Sequence, residues 1–280
     1  MGLEKLQTVG VEVNSYCNRA CWFCPNSFLD RRSSQNHMQM DLFIKILDEL
    51  RVIGFNKEFS FSYFNEPLSS PLIFSYIEKA REYLPEANIR VSTNGDYLNN
   101  KMLRELRDAG LSLIRIQHYL ADNEIFNKKN ALVAMQRKAR KLELEEIEIV
   151  KYRNDLVKLE TQSVCGIVVE FLARDFRING NTRGDSLQTI ESVSRKGSCI
   201  LPQEQVSIDY TGNLLPCCNF REDYPPHRKF VMGNVRDESL ANIFYSRKYT
   251  QFREITKLSP LKFSPCASCS MNDNQVGEYE

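Results

Sequence analysis

Cys17-Asn18-Arg19-Ala20-Cys21-Trp22-Phe23-Cys24 decides how this chain is read. The run follows an apolar, β-branched stretch from Thr8 to Val13 and spaces its thiols as C-x3-C-x2-C. Three thiolates fall one short of the four that a structural zinc site uses. Three soft ligands suit an iron–sulfur cluster with one iron left open, and an open iron can chelate a substrate. Phe23, just before the last cysteine, offers a ring that can lie against a flat ligand. Half of a zinc site, inert buried thiols and a disulfide framework are the bland alternatives. Core thiols are rarely spaced this way. Nine cysteines in 280 residues, with no apolar signal segment, are too few for a disulfide scaffold, and an odd count in a reducing compartment points to metal.

Composition sets the outer bounds. A chain of 280 residues buries one large core, or one core and a small appendage. Apolar content of 42% and charged content of 26% are those of a soluble globular protein. The net charge of +1 gives no general electrostatic case for nucleic acid or a membrane surface as partner. No run approaches the ~18–20 apolar residues that cross a bilayer. With no targeting segment, the expected address is the cytoplasm.

The first two-thirds alternate strand-like and helix-like segments. Val9–Val13 reads as a strand, and Asp41–Leu50 as a helix with Asp41 as its N-cap. Phe59–Tyr63, Ile89–Ser92 and Leu113–Ile116 read as further strands. Helices follow them, from Pro71 to Leu84, from Asn99 to Ala109 with Gly110 as the stop, and across Ala131–Leu142. Glu145–Val150 and Gly166–Leu172 supply two more strands. Repeated βα units imply an α/β fold with a parallel sheet, open or curled into a partial barrel. In such barrels functional groups gather at the C-terminal ends of the strands. The cysteine triplet follows the first strand, Asn65-Glu66-Pro67 the second, Thr93-Asn94-Gly95-Asp96 the third and Gln117-His118 the fourth. All four land on one rim.

The CxxxCxΦC pattern, with Φ aromatic, resembles the signature of the radical S-adenosylmethionine (SAM) superfamily. The resemblance implies a partial (β/α)6 TIM-like barrel over residues 1–195. It also implies a 4Fe–4S cluster on Cys17, Cys21 and Cys24 whose open iron holds the amino and carboxylate groups of SAM. Asn65-Glu66-Pro67 resembles the family's Gly-Glu-Pro motif, which assigns Glu66 to the SAM ammonium, although Asn stands where Gly is commoner. Asn94 and Gln117 are expected at the ribose or the substrate. His118 is the weakest candidate, since a lone His is more often a packed, hydrogen-bonded residue.

After about Lys196 the alternation stops. Gln205–Tyr210 and Asn213–Pro216 read as a β-hairpin across Thr211-Gly212. Cys199, Cys217, Cys266 and Cys269 make a set of four thiolates, which on its own terms also fits a structural zinc knot. The spacing of Gly212 to Cys217 and the later Cys266-Ala267-Ser268-Cys269 resemble the twitch domain, a shortened SPASM domain. That likeness implies a hairpin-plus-helix unit over 196–280 holding one auxiliary 4Fe–4S cluster. Further stretches resemble the radical SAM dehydrogenases that oxidise 2-deoxy-scyllo-inosamine in aminoglycoside biosynthesis: Val11-Glu12-Val13-Asn14-Ser15, Cys24-Pro25-Asn26-Ser27 and Val231-Met232-Gly233-Asn234. Thr182-Arg183-Gly184-Asp185 stands where that family reads Asn-Arg-Gly-Gly, which implies Arg183 at the substrate.

The expected activity is oxidation of an alcohol to a ketone on an aminocyclitol or sugar-like substrate, with the auxiliary cluster as electron acceptor. Partners implied are a small-molecule or peptide substrate and a reductant such as flavodoxin or ferredoxin. Cys218 keeps an epimerase reading open, because a free thiol can return a hydrogen atom to the substrate; Cys165 is an alternative donor. A zinc-stapled binding module is the non-enzymatic alternative.

Overall fold

A computed structural model describes residues 2–122, 124–161, 166–260 and 263–271. Strand β1 (Thr8–Val11) pairs in parallel with β2 (Glu58–Phe61), which continues to β3 (Asn88–Thr93) and β4 (Leu113–His118). Helices α1 (Met40–Val52), α2 (Ile73–Tyr83) and α3 (Asn100–Asp108) make the crossovers, and α4 (Lys128–Lys141) leaves β4. Leu42, Phe43, Ile46, Leu47 and Leu50 recur at helical spacing on the buried face of α1. There Phe43 meets Tyr76 of α2 at 4.9 Å and Phe59 and Phe61 of β2 at about 6 Å. Burying one such side chain contributes roughly 1.5–3 kcal/mol.

Helix boundaries follow local chemistry. Asn99 Oδ1 caps α3 by accepting from Met102 N, and Gly110, at φ +99°, takes the left-handed position beyond its end. Asn127 Oδ1 caps α4 from Lys129 N and Asn130 N. Asp41 is not the N-cap of α1. Gln39 holds that position, and Asp41 sits in the first turn, where its charge still favours the positive end of the helix dipole.

The two further strands differ in kind. β5 (Ile147–Tyr152) forms an antiparallel pair with β6 (Leu156–Thr161), which returns antiparallel to β7 (Val168–Arg174). The link at Arg153–Asp155 is too short for a parallel crossover, so a hairpin is the available connection. β7 then lies parallel to β4. On the opposite side of β1, β8 (Gln205–Ile208) adds a sixth parallel strand, giving the run β8-β1-β2-β3-β4-β7. Six neighbouring parallel strands with crossover helices make the partial TIM-like barrel, and a C-terminal appendage follows. Between β7 and β8 the chain holds the one-turn helices Phe176–Asn179 and Leu201–Glu204 and an irregular stretch, where the expected division at 195/196 falls.

The C-terminal region continues the same sheet. β8 turns into β9 (Asn213–Leu215) with Ile208 opposite Leu214, and β10 (Gly233–Asn234) pairs with β9. Gly212 takes φ +94° at the turn, while the Asp209 carboxylate gathers Thr211 N and Asn213 N. Helices Leu240–Tyr245 and Arg247–Thr256 and a 3-10 turn at Cys266–Ser268 follow among the described residues.

Candidate active site and metal centres

The C-terminal ends of the parallel strands enclose a cavity of about 880 Å³. Cys17, Cys21, Cys24, Phe23, Glu66, Asn94, Gln117, Arg183 and Cys218 all line it. The strand ends and the turn after β9 thus bring together residues as far apart in sequence as Cys17 and Cys218.

Local hydrogen bonds fix the rim. Asn14, fully buried past the end of β1, donates from Nδ2 to Glu66 O and Ser69 Oγ and accepts from Asn65 Nδ2. The Glu66 carboxylate, 1% exposed, accepts from Thr93 Oγ1 (2.6 Å), Asn94 N (2.8 Å) and Leu68 N (3.1 Å). Burial pushes its pKa up to about 7, against the pull of those donors. Arg19 Nε and Asn18 Nδ2 both donate to Asp96 Oδ2, and Asn94 Nδ2 donates to Asn18 Oδ1. The loop after β3 therefore clamps the cysteine loop after β1.

Phe23 is buried, and one face of its ring stacks on Phe176 at 3.5 Å and 1°. That face meets a side chain of the protein instead of a ligand. Tyr119 adds a tilted ring at 5.1 Å from Phe23. Burial raises all three cysteine pKa values, Cys17 to about 11 and Cys21 to about 12, so metal binding must displace protons there.

A second cavity of about 400 Å³ is lined by Cys199, Cys217, Cys266 and Cys269 together. Cys217 and Cys218 are consecutive, yet Cys217 lines this cavity and Cys218 lines the first. The turn at 182–185 ties the two together. Arg183 reaches the first cavity, Gly184 lines the second, and the Asp185 carboxylate accepts from Ser264 Oγ (2.7 Å) and Ser268 Oγ (2.5 Å) around the CxxC. Arg183 Nη1 donates to Asn219 Oδ1 at 3.1 Å, and Asn219 Nδ2 lies 3.9 Å from Cys269 Sγ.

His118 does not line the first cavity; it is half-buried, and desolvation lowers its pKa. Cys165 lies outside the described residues. Arg174 and Phe176 line the cavity but were missed in the sequence. Both follow from the strand-end rule once β7 is extended to Arg174 instead of ending at Leu172. A buried network behind the wall was missed too: Arg31 pairs with Glu12 and Asp223, and Arg221 pairs with Asp223 and donates to Asn26 Oδ1.

The radical SAM superfamily model matches residues 11–156, more than half of the chain. This protein belongs to the radical SAM superfamily. An iron–sulfur cluster-binding domain model of the SPASM type matches residues 199–270, so the zinc readings fall away. The S-adenosyl-L-methionine-dependent 2-deoxy-scyllo-inosamine dehydrogenase of Niallia circulans is 27% identical over 99% of this chain and 98% of its own. A tungsten-containing aldehyde ferredoxin oxidoreductase cofactor-modifying protein of Pyrococcus furiosus is 24% identical over 94% of this chain and 87% of its own. The crystal structure of BtrN in complex with AdoMet and 2-DOIA superposes with a TM-score of 0.69, at 25% identity, covering 95% of this chain and 93% of that one.

This radical SAM enzyme uses SAM and iron–sulfur clusters. The residues present fit both kinds of group. The first cavity offers three thiols beside Asn65 Oδ1 and Ser92 Oγ, buried oxygens with no hydrogen-bond partner among the described residues. The second offers four thiols around a largely apolar pocket that includes Leu201, Phe220 and Phe252. No helix among the described residues is long and apolar enough to cross a membrane.

Proposed function

We propose that this radical SAM enzyme is a dehydrogenase that oxidises a secondary alcohol of a small cyclitol- or sugar-like substrate to a ketone. The carrying observation is the opposed pair Cys217–Cys218, which sets a four-thiol site directly against the wall of the reaction cavity. When bound, SAM and the clusters supply a 5′-deoxyadenosyl radical to remove a carbon-bound hydrogen and an acceptor for the electron left after the hydroxyl proton departs. Cys17, Cys21 and Cys24 hold the first cluster and leave one iron open; Cys199, Cys217, Cys266 and Cys269 hold the second with no iron open. Glu66 holds the SAM ammonium, with Asn94 and Gln117 beside the nucleoside or substrate. Arg183 orients the substrate. The Phe23–Phe176 stack excludes water from that wall. The Niallia circulans relative, a dehydrogenase by name, supports the reaction type. Residues 1–195 carry the radical chemistry and 196–280 the auxiliary cluster, in a cytoplasmic setting with flavodoxin or ferredoxin as reductant.

A second reading rests on Cys218. Its thiol lines the reaction cavity and is positioned to return a hydrogen atom, which would make the enzyme an epimerase. Anaerobic turnover in deuterated water, read by mass spectrometry, separates the two. A dehydrogenase gives a product lighter by two hydrogens, one 5′-deoxyadenosine per product, and full activity in Cys218→Ala. Solvent deuterium at a substrate carbon with no loss of hydrogen would overturn the dehydrogenase.

A further inference from the structure

The charge of the cavity does not suit an amine. Among the described residues lining it, Glu66 is the sole carboxylate, and the proposed function commits it to the SAM ammonium. A smaller cavity of about 310 Å³ adjoins it and shares Phe23, Arg174, Phe176, Arg183 and Cys218. No described acid lines this smaller space; its remaining lining is Asn179, Gly180, Asn181 and Met271. The shared end thus carries two guanidiniums and no carboxylate.

The other arginines nearby show how this fold neutralises a buried cation. Arg31 is ion-paired with Glu12 and Asp223, and Arg221 with Asp223. Arg183 is faced by an amide instead, Asn219 Oδ1 at 3.1 Å. An amide orients the guanidinium without cancelling its charge. A planar fork held this way suits bidentate recognition of a carboxylate or phosphate.

Resting on the dehydrogenase reading, we infer that the substrate is a hydroxylated ring bearing an anionic group, a carboxylate or a phosphate monoester, received by Arg183 and Arg174. The Niallia circulans relative is, by name, a dehydrogenase of an inosamine, an amine, so on this inference the two substrates would differ in charge.

The test is calorimetric binding to the anaerobic, reconstituted holoenzyme with SAM present, using glucose, glucosamine, glucuronate and glucose 6-phosphate as probes. At least one acid should bind about tenfold or more tighter than glucose, and glucosamine more weakly. Whichever acid wins identifies carboxylate or phosphate. The advantage should shrink with added salt and disappear in Arg183→Gln, with Arg174→Gln reducing it, while iron content and SAM affinity hold. Tightest binding of glucosamine, equal affinity for all four, failure of both acids to bind at millimolar concentration, or an unchanged preference in Arg183→Gln would each overturn the inference; the last would mean that the guanidinium only balances cluster charge. Tight anion binding without any oxidised product would instead break the dehydrogenase reading and leave this one standing.

Discussion

The two cysteine centres differ by one ligand and by what surrounds them. The rim centre has three thiols in one continuous loop, and its cavity walls carry Glu66, Asn94 and buried oxygens without partners among the described residues. The auxiliary centre draws its four thiols from three separate segments, walled by Leu201, Phe220 and Phe252. A polar wall with unused hydrogen-bonding capacity is built to receive a ligand, whereas an apolar wall with a complete ligand set is built to keep one out. On the proposed function the first centre binds and reacts, and the second exchanges electrons. The 182–185 turn and the Cys217–Cys218 pair each contribute to both cavities and so link the two centres.

The largest effect should come from opening the closed centre. Cys269→Ala is expected to keep cleaving SAM to 5′-deoxyadenosine while the oxidised product falls to background, as both species read by chromatography would show. Retained oxidation would mean that the auxiliary cluster is structural. Glu66→Gln should weaken SAM binding by roughly 2–5 kcal/mol without loss of iron, since it removes one partner of a buried charge pair. The pH dependence sharpens this. The carboxyl is neutral below about 7 and ionised above it, so wild-type SAM affinity should rise as pH is raised through 7. The Gln variant should be flat over that range; parallel profiles for the two proteins would remove Glu66 from the SAM site. The smallest effect concerns the tie between the centres. Asp185→Gly relieves a non-glycine residue held at φ +63° but loses the bonds from Ser264 and Ser268, worth about 0.5–1.5 kcal/mol each. A net loss of about 1 kcal/mol is expected in denaturant unfolding, with faster amide exchange across 264–269. An unchanged midpoint with unchanged exchange would show the tie to be incidental.

How much was legible in the sequence follows from where the chemistry is local. The cysteine triplet, Asn65-Glu66-Pro67 and Thr93-Asn94 sit at or just past the ends of strands that their own residues announce, so the rim could be assembled from order alone. The hairpin with Gly212 and Cys217 was readable for the same reason. What escaped depends on pairing partners. β6 carries Lys158 and Glu160 in a mixed pattern, and nothing local says that it turns back on β5. Ending β7 at Leu172 hid Arg174 and Phe176, because the strand's last residues are set by pairing with β6. The Arg31–Glu12–Asp223 network escaped as well, since its members are up to 211 residues apart.

The division between an open and a closed centre is tested most directly by electron paramagnetic resonance of the reduced enzyme with and without SAM, in the wild type and in the triple variant Cys17→Ala, Cys21→Ala, Cys24→Ala. The wild type should show two cluster signals, with SAM shifting one alone. The triple variant should retain about four irons and a single signal that SAM leaves unmoved. A shift of that remaining signal on adding SAM would contradict the account, because it would place an open iron at Cys199, Cys217, Cys266 and Cys269.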